Sequence, residues 1–163
     1  MVKNDFVRTP EYVTRILLKR ENFFGSVLEP CCGDGAISEV LKKEHMKVFS
    51  SDKYNYGYGK VIDLFDIKEK YDNIITNPPF THQQSVKKHL LSIVKDKLAL
   101  LWYIKNIGNE VETRTSENLK TIYVITRPIQ WKETKLGWLF GWYIWEKGYK
   151  GDVKIIRVNP EEV

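Results

Sequence analysis

No hydrophobic run in this chain is long enough to span a bilayer. The longest, 98–104 and 138–145, fall far short of the roughly 20 residues a membrane helix needs. The N-terminus, with Lys3, Asp5 and Arg8, lacks the apolar stretch of a secretory signal. Cysteine is nearly absent: Cys31 and Cys32 are adjacent, and neighbours rarely reach disulfide geometry, so no secreted disulfide framework is expected. The three histidines, His45, His82 and His89, are scattered with no cysteine at ligand spacing, and no metal site is expected. Internal repeats and linkers are missing too, so 163 residues imply one compact domain over 1–163, with no separate recognition module. A cytoplasmic protein in reducing surroundings is the resulting expectation.

What is present alternates. Thr9 reads as an N-cap and Pro10 as first-turn residue of a helix with apolar positions at Val13, Ile16, Leu17 and Phe24. Ser26–Glu29 reads as a strand that runs into Cys31-Cys-Gly-Asp-Gly35, followed by helical spacing at Ile37, Val40 and Leu41. Strands follow at 47–52, weakly near Val61 and Ile62, and at 71–76; a helix runs through Val86, Leu90 and Ile93, then a strand over 98–103. Strands alternating with helices imply βαβ units and a mainly parallel α/β sheet, Rossmann-like, with helices on both faces. Residues 106–118 are polar and read as a mobile loop; 122–125, 139–145 and 153–158 read as strands completing the sheet in antiparallel fashion. Trp138, Trp142, Tyr143 and Trp145 read as sheet core rather than a base-stacking platform.

Two turns carry chemistry. Gly33 and Gly35 stand where a strand meets a helix, and their missing β-carbons let backbone approach a nucleotide-like ligand. Asp52, ending the next strand, is placed to accept hydrogen bonds from a ribose diol. Ser38 replaces the third glycine of the dinucleotide fingerprint, which counts against a nicotinamide oxidoreductase and leaves adenosine-type cofactors. At the other turn, Asn77-Pro78-Pro79-Phe80, two prolines end the strand. A nucleobase or amide NH2 is a poor nucleophile because its lone pair is delocalised. The Asn77 side-chain oxygen and the Pro78 carbonyl are two acceptors that draw such a nitrogen towards tetrahedral geometry, while Phe80 stacks on a planar substrate.

Glu29-Pro30-Cys31-Cys-Gly33-Asp-Gly35 resembles the cofactor motif of class I S-adenosylmethionine-dependent methyltransferases, and Asn77-Pro78-Pro79-Phe80 resembles the catalytic motif of those that methylate amino nitrogens. Phe6-Val-Arg-Thr-Pro10 is similar to the N-terminal motif of gamma-group adenine DNA methyltransferases, and 141–148 to the ending of small phage- and prophage-type adenine methylases. The resemblance implies that S-adenosylmethionine is converted to S-adenosylhomocysteine. Thr9 and Pro10 then hold the methionine end; Glu29, Pro30, Cys31, Gly33 and Gly35 shape the pocket; Asp52 takes the ribose; Asp63 meets the adenine ring, with Asp66 as a rival; Lys53 and Leu64 also bind the cofactor; and Asn77 touches both cofactor and substrate. Neither cysteine needs a nucleophilic role. A net charge of +5 permits nucleic acid, most simply DNA, as partner, with Lys105, Arg114, Arg127, Lys132 and Lys135 as phosphate contacts. Lacking a recognition domain, the protein would tolerate many sequences, form a homodimer or borrow a partner. RNA or a glutamine amide also presents a planar NH2, and a non-catalytic cofactor-binding subunit is the remaining alternative.

Overall fold

The computed structural model describes residues 6–108, 117–131, 137 and 139–162. Its elements are α1 (Glu11–Leu18), β1 (Ser26–Glu29), α2 (Ala36–Lys43), β2 (Lys47–Asp52), β3 (Lys60–Val61), β4 (Tyr71–Thr76), α3 (Gln83–Ile93), β5 (Val94–Tyr103), β6 (Leu119–Ile125), β7 (Phe140–Glu146) and β8 (Lys154–Val158). The strands form one sheet in the order β3-β2-β1-β4-β5-β7-β6-β8. Strands β1 to β5 pair in parallel; the chain winds outward from β1 to β3, returns to β4 on the other side of β1 and winds outward in the opposite direction, leaving a crevice at the C-terminal ends of β1 and β4.

Apolar periodicity sets the two layers. Val13, Ile16 and Leu17 of α1 and Ile37 and Leu41 of α2 pack on one face of the sheet with Ile75, Leu101 and Trp142. Val86, Leu90 and Ile93 of α3 pack on the other with Ile74, Trp102, Tyr143 and Trp145. Side chains alternate across a strand, so β7 sends Trp142 to one core and Tyr143 and Trp145 to the other, and none of the three is a surface platform. Trp138 lies outside the described residues. The Trp142 indole donates to the Val13 carbonyl at 2.8 Å, and the Tyr143 hydroxyl to the Tyr103 carbonyl at 2.9 Å, so the large rings are also polar anchors.

Several expectations need correcting. Pro10, not Thr9, occupies the N-cap of α1, and no side chain caps that helix; its fixed φ of −61° suits the entry, which frees the Thr9 hydroxyl for a distant partner. Phe24 lies beyond the end of α1 and is 76% exposed, because the helix stops at Leu18. The C-terminal third is not antiparallel throughout: β7 alone runs against its neighbours β5 and β6, while β8 pairs in parallel with β6. The short 147–153 connection carries the chain past β6, so β8 necessarily runs opposite to β7. Ile104–Gly108 forms a 3-10 turn, and 109–116 of the expected loop lies outside the described residues. Among the described residues no helix is long and apolar enough to cross a membrane.

Trp142 joins α1 to the middle of the sheet through both packing and its indole N–H. Trp142→Ala is expected to lose about 3–5 kcal/mol of stability in urea unfolding, the usual cost of emptying a large aromatic site. A loss under about 1 kcal/mol would show that α1 docks without it.

Candidate functional site

The C-terminal ends of β1, β2 and β4 surround a cavity of about 270 Å³. Its floor is the turn from β1 to α2. Gly33 and Gly35 adopt left-handed backbone (φ 52° and 87°), and Gly35 is the N-cap of α2. Aromatic rings fill the space that β-carbons would take: a side chain at Gly33 would strike Phe6, and one at Gly35 would meet Tyr58. Asp52 fastens this turn. Its carboxylate accepts the Gly33 N–H at 2.9 Å and the Tyr54 N–H at 3.0 Å, bridging the glycine turn and the loop after β2. Arg8 pairs with Asp34, clasping the N-terminal segment to the same turn, and Phe6 stacks on Tyr56 with ring centres 4.6 Å apart.

Glu29, the last residue of β1, lines the cavity but is only 1% exposed, and accepts a hydrogen bond from Ser38, whose hydroxyl lies 2.6 Å from that of Ser50. Burial pushes its carboxyl from an ordinary 4.5 up to about 8, and the negative charges of Asp52 and Asp34 add to this against the Ser38 hydrogen bond. The same burial raises the Cys31 thiol strongly and the Cys32 thiol to about 12, with nearby carboxylates pushing the same way. Both thiols are protonated at neutral pH, so neither supplies a thiolate nucleophile.

Asn77 follows β4 directly. Its side-chain Nδ2 donates to the Thr9 hydroxyl at 3.1 Å, which turns the other end of the amide, Oδ1, into a buried acceptor with no hydrogen-bond partner among the described residues. Pro78 is buried, and Pro79 and Phe80 continue along the cavity wall. Phe80 is half-buried and packs on Tyr103 (ring centres 4.8 Å apart, 30° between planes), with the Lys105 ammonium 5.0 Å from the centre of that same Tyr103 ring. Such a site has a donor-poor, acceptor-bearing corner beside an aromatic face, suited to a planar group that brings its own N–H donors.

No protein-family model and no curated protein matches the chain. Solved structures do. A candidate RNA methyltransferase from Pyrococcus horikoshii superimposes with a TM-score of 0.69 at 16% identity, covering 86% of each chain. Magnesium protoporphyrin IX methyltransferase from Synechocystis, crystallised with bound S-adenosylmethionine, gives 0.59 at 15%, covering 83% of this chain and 76% of that one. A modification subunit of a candidate type I restriction enzyme from Vibrio vulnificus gives 0.63 at 14%, covering 94% of this chain and 47% of that one. The chain has the class I methyltransferase fold.

On this methyltransferase fold the predicted site residues divide cleanly. Thr9, Glu29, Pro30, Cys31, Asp52, Lys53, Asp63, Leu64, Asn77, Pro78, Pro79 and Phe80 all line the cavity, whereas Gly33 and Gly35 do not, because the Phe6 and Tyr58 rings occupy the space beside them. Asp63 accepts the Phe65 N–H at 3.1 Å and pairs with Lys53 at 2.9 Å, whereas its rival Asp66 is exposed and lies outside the lining. Pro10 does not line the cavity; it starts α1. Lys105 and Arg127 are outside as well, and Arg127 is engaged by Glu161. Arg114, Lys132 and Lys135 fall outside the described residues. Sequence reasoning missed the aromatic wall of Phe6, Tyr54, Tyr56 and Phe65, and also His82 and Val86. The Tyr- and Gly-rich stretch after Asp52 was its available signal.

Because the folded state holds Glu29 protonated and the unfolded chain does not above about pH 4.5, the protein binds more protons when folded. This contribution to stability is complete below about pH 4.5 and is lost as pH rises through about 8. Melting temperature should therefore fall over that window in the wild type, and the slope should flatten in Glu29→Gln. Parallel pH profiles for the two proteins would mean that Glu29 is ionised in the fold.

Proposed function

We propose that the protein is an S-adenosylmethionine-dependent methyltransferase acting on an exocyclic amino group, with adenine in DNA as its substrate. The observation that carries this reading is the buried, unpartnered Asn77 Oδ1 at the cavity wall. A buried acceptor left without a donor costs on the order of 1–3 kcal/mol, and a substrate N–H is the group that would repay it. Adenine is supported by the resemblance of Asn77-Pro78-Pro79-Phe80 and of Phe6–Pro10 to adenine methyltransferase motifs.

The cavity fits the cofactor. Glu29, Asp52 and Asp63 lie along a space otherwise walled by Leu64, Phe65, Val86 and aromatic rings, which suits a hydroxyl-bearing nucleoside with a cationic amino-acid arm. Asp52 spends one hydrogen bond on each of two backbone N–H groups and retains lone pairs for a ribose diol. When bound, S-adenosylmethionine supplies a methyl group made electrophilic by its sulfonium. The chain's own part is orientation. Thr9 fixes the Asn77 amide so that Oδ1 accepts one amine N–H, the Pro78 carbonyl accepts the other, and the nitrogen lone pair is freed from the ring. Phe80, backed by Tyr103, offers its face to the base. Lys105, over the far ring of that pair, and Arg127 are the described candidates for a phosphate, and a phosphate contact by Arg127 would have to displace Glu161.

The test is transfer of labelled methyl to duplex DNA, single-stranded DNA, RNA and protein, with mass spectrometry of the digests. Methyladenine in DNA is the expected product; label only in RNA or on glutamine would replace the substrate, and no label with cofactor bound would point to a non-catalytic subunit. Asn77→Ala should lose about 10²-fold or more in turnover, the usual effect of deleting a preorganised polar contact to the reacting group, with a much smaller loss of cofactor affinity. Asp52→Ala should weaken S-adenosylhomocysteine binding by calorimetry about tenfold or more, as loss of a charged hydrogen-bonding partner does. Undiminished turnover in the first, or unchanged affinity in the second, would remove the corresponding role.

A further inference from the structure

Strand β8 is the outermost strand on its side of the sheet, and among the described residues nothing pairs with its outer edge. Four of its five residues are exposed. Successive side chains point to opposite faces, so Ile155 (55% exposed) and Ile156 (40% exposed) leave apolar surface on both faces of an edge whose N–H and C=O groups are free to pair. Most edge strands carry a device against such pairing. Here Lys154 and Arg157 are the only candidates within the strand, and their spacing restricts the register of pairing without preventing it.

We infer that β8 pairs with β8 of a second copy, antiparallel and centred on Ile156, joining two sheets into one. Three features select this occupant and register. Only alternate residues of β8 turn their backbone groups outward, so two copies can pair antiparallel only with a residue opposite its own counterpart. Centring on Arg157 would set two guanidinium groups face to face, and centring on Ile155 would leave both Arg157 and Val158 unpaired within the strand. Centring on Ile156 pairs all five residues: Ile156 with Ile156, Ile155 with Arg157 and Lys154 with Val158, with no cation opposite a cation. Charge at the strand ends agrees. Lys150 and Lys154, with Asp152 between them, leave a net positive charge at its start, and Glu161, paired with Arg127, lies just beyond its end, so an antiparallel copy brings the net basic end of each strand towards the acid-bearing end of the other. Such a two-fold contact is isologous and closes on itself. It also leaves both cavities open, because antiparallel sheets carry their C-terminal strand edges in opposite directions.

Cysteine placement tests the register. Ile156→Cys should form an intermolecular disulfide in oxidised glutathione, while Ile155→Cys, whose counterparts are offset by two residues, should link far more slowly; wild type, with Cys32 buried and Cys31 half-buried, should not link. Sedimentation equilibrium should show a wild-type dimer and a folded Ile156→Lys monomer, its dissociation constant weakened more than about tenfold by like charges placed face to face. A wild-type monomer at the highest soluble concentration, equal linking by the two cysteine variants, or an Ile156→Lys dimer as tight as wild type would each overturn the inference. None of these readouts depends on methyl transfer, so the inference and the proposed function fail separately.

Discussion

Asp52 holds two loops at once, and the cavity exists because it does. Its carboxylate sits at the end of β2, where the sheet stops supplying partners for backbone N–H groups, and takes one from Gly33 and one from Tyr54. Charge-assisted bonds of this kind are stronger than neutral ones. They hold the glycine turn in a left-handed conformation that leaves room for the Phe6 and Tyr58 rings against bare backbone. Phe6 in turn reaches Tyr56, and Arg8 reaches Asp34, so the N-terminal segment closes over the same turn.

Around that frame the cavity collects polar groups that a merely stable protein would avoid. Glu29 is buried, with its carboxyl pushed upward by burial and held by Ser38, and Asn77 Oδ1 is buried and unpaired among the described residues. The unpaired acceptor costs stability unless something enters to satisfy it. The surrounding structure tolerates them because Thr9 and Ser38 satisfy the other half of each group and because the two cores on either side of the sheet are densely apolar. Sites that oppose local stability in this way are where binding energy is recovered.

The C-terminal half performs a different task. Strand β7 carries four large aromatic rings, Phe140, Trp142, Tyr143 and Trp145, into the two cores and seals the sheet beside β5, and the Trp142 indole reaches back to α1. That strength is local to β7. One position further out β6 is still buried, and at β8 the sheet ends with isoleucines facing solvent on both sides. The sheet is thus most densely packed at β7 and least finished at its β8 edge.

What the sequence determined by itself was local. Period-2 and period-3.6 apolar patterns placed nearly every strand and helix, and two prolines after β4 and two glycines after β1 marked both turns, because those residues restrict or widen backbone choice wherever they stand. Asp52 and Asn77 were legible for the same reason, since one ends a strand and the other directly follows one, whereas Asp63 came only from the family resemblance and was not separable from Asp66. The tertiary structure alone decided which groups meet across the chain. Thr9 looks like a helix cap and instead orients Asn77, 68 residues away. Phe6 covers a glycine turn that lies beyond a whole helix and strand, Arg127 is engaged by Glu161 rather than left for phosphate, and β8 runs parallel to β6 because it must cross over it. These pairings depend on where packing brings distant segments, and no window of neighbouring residues contains that information.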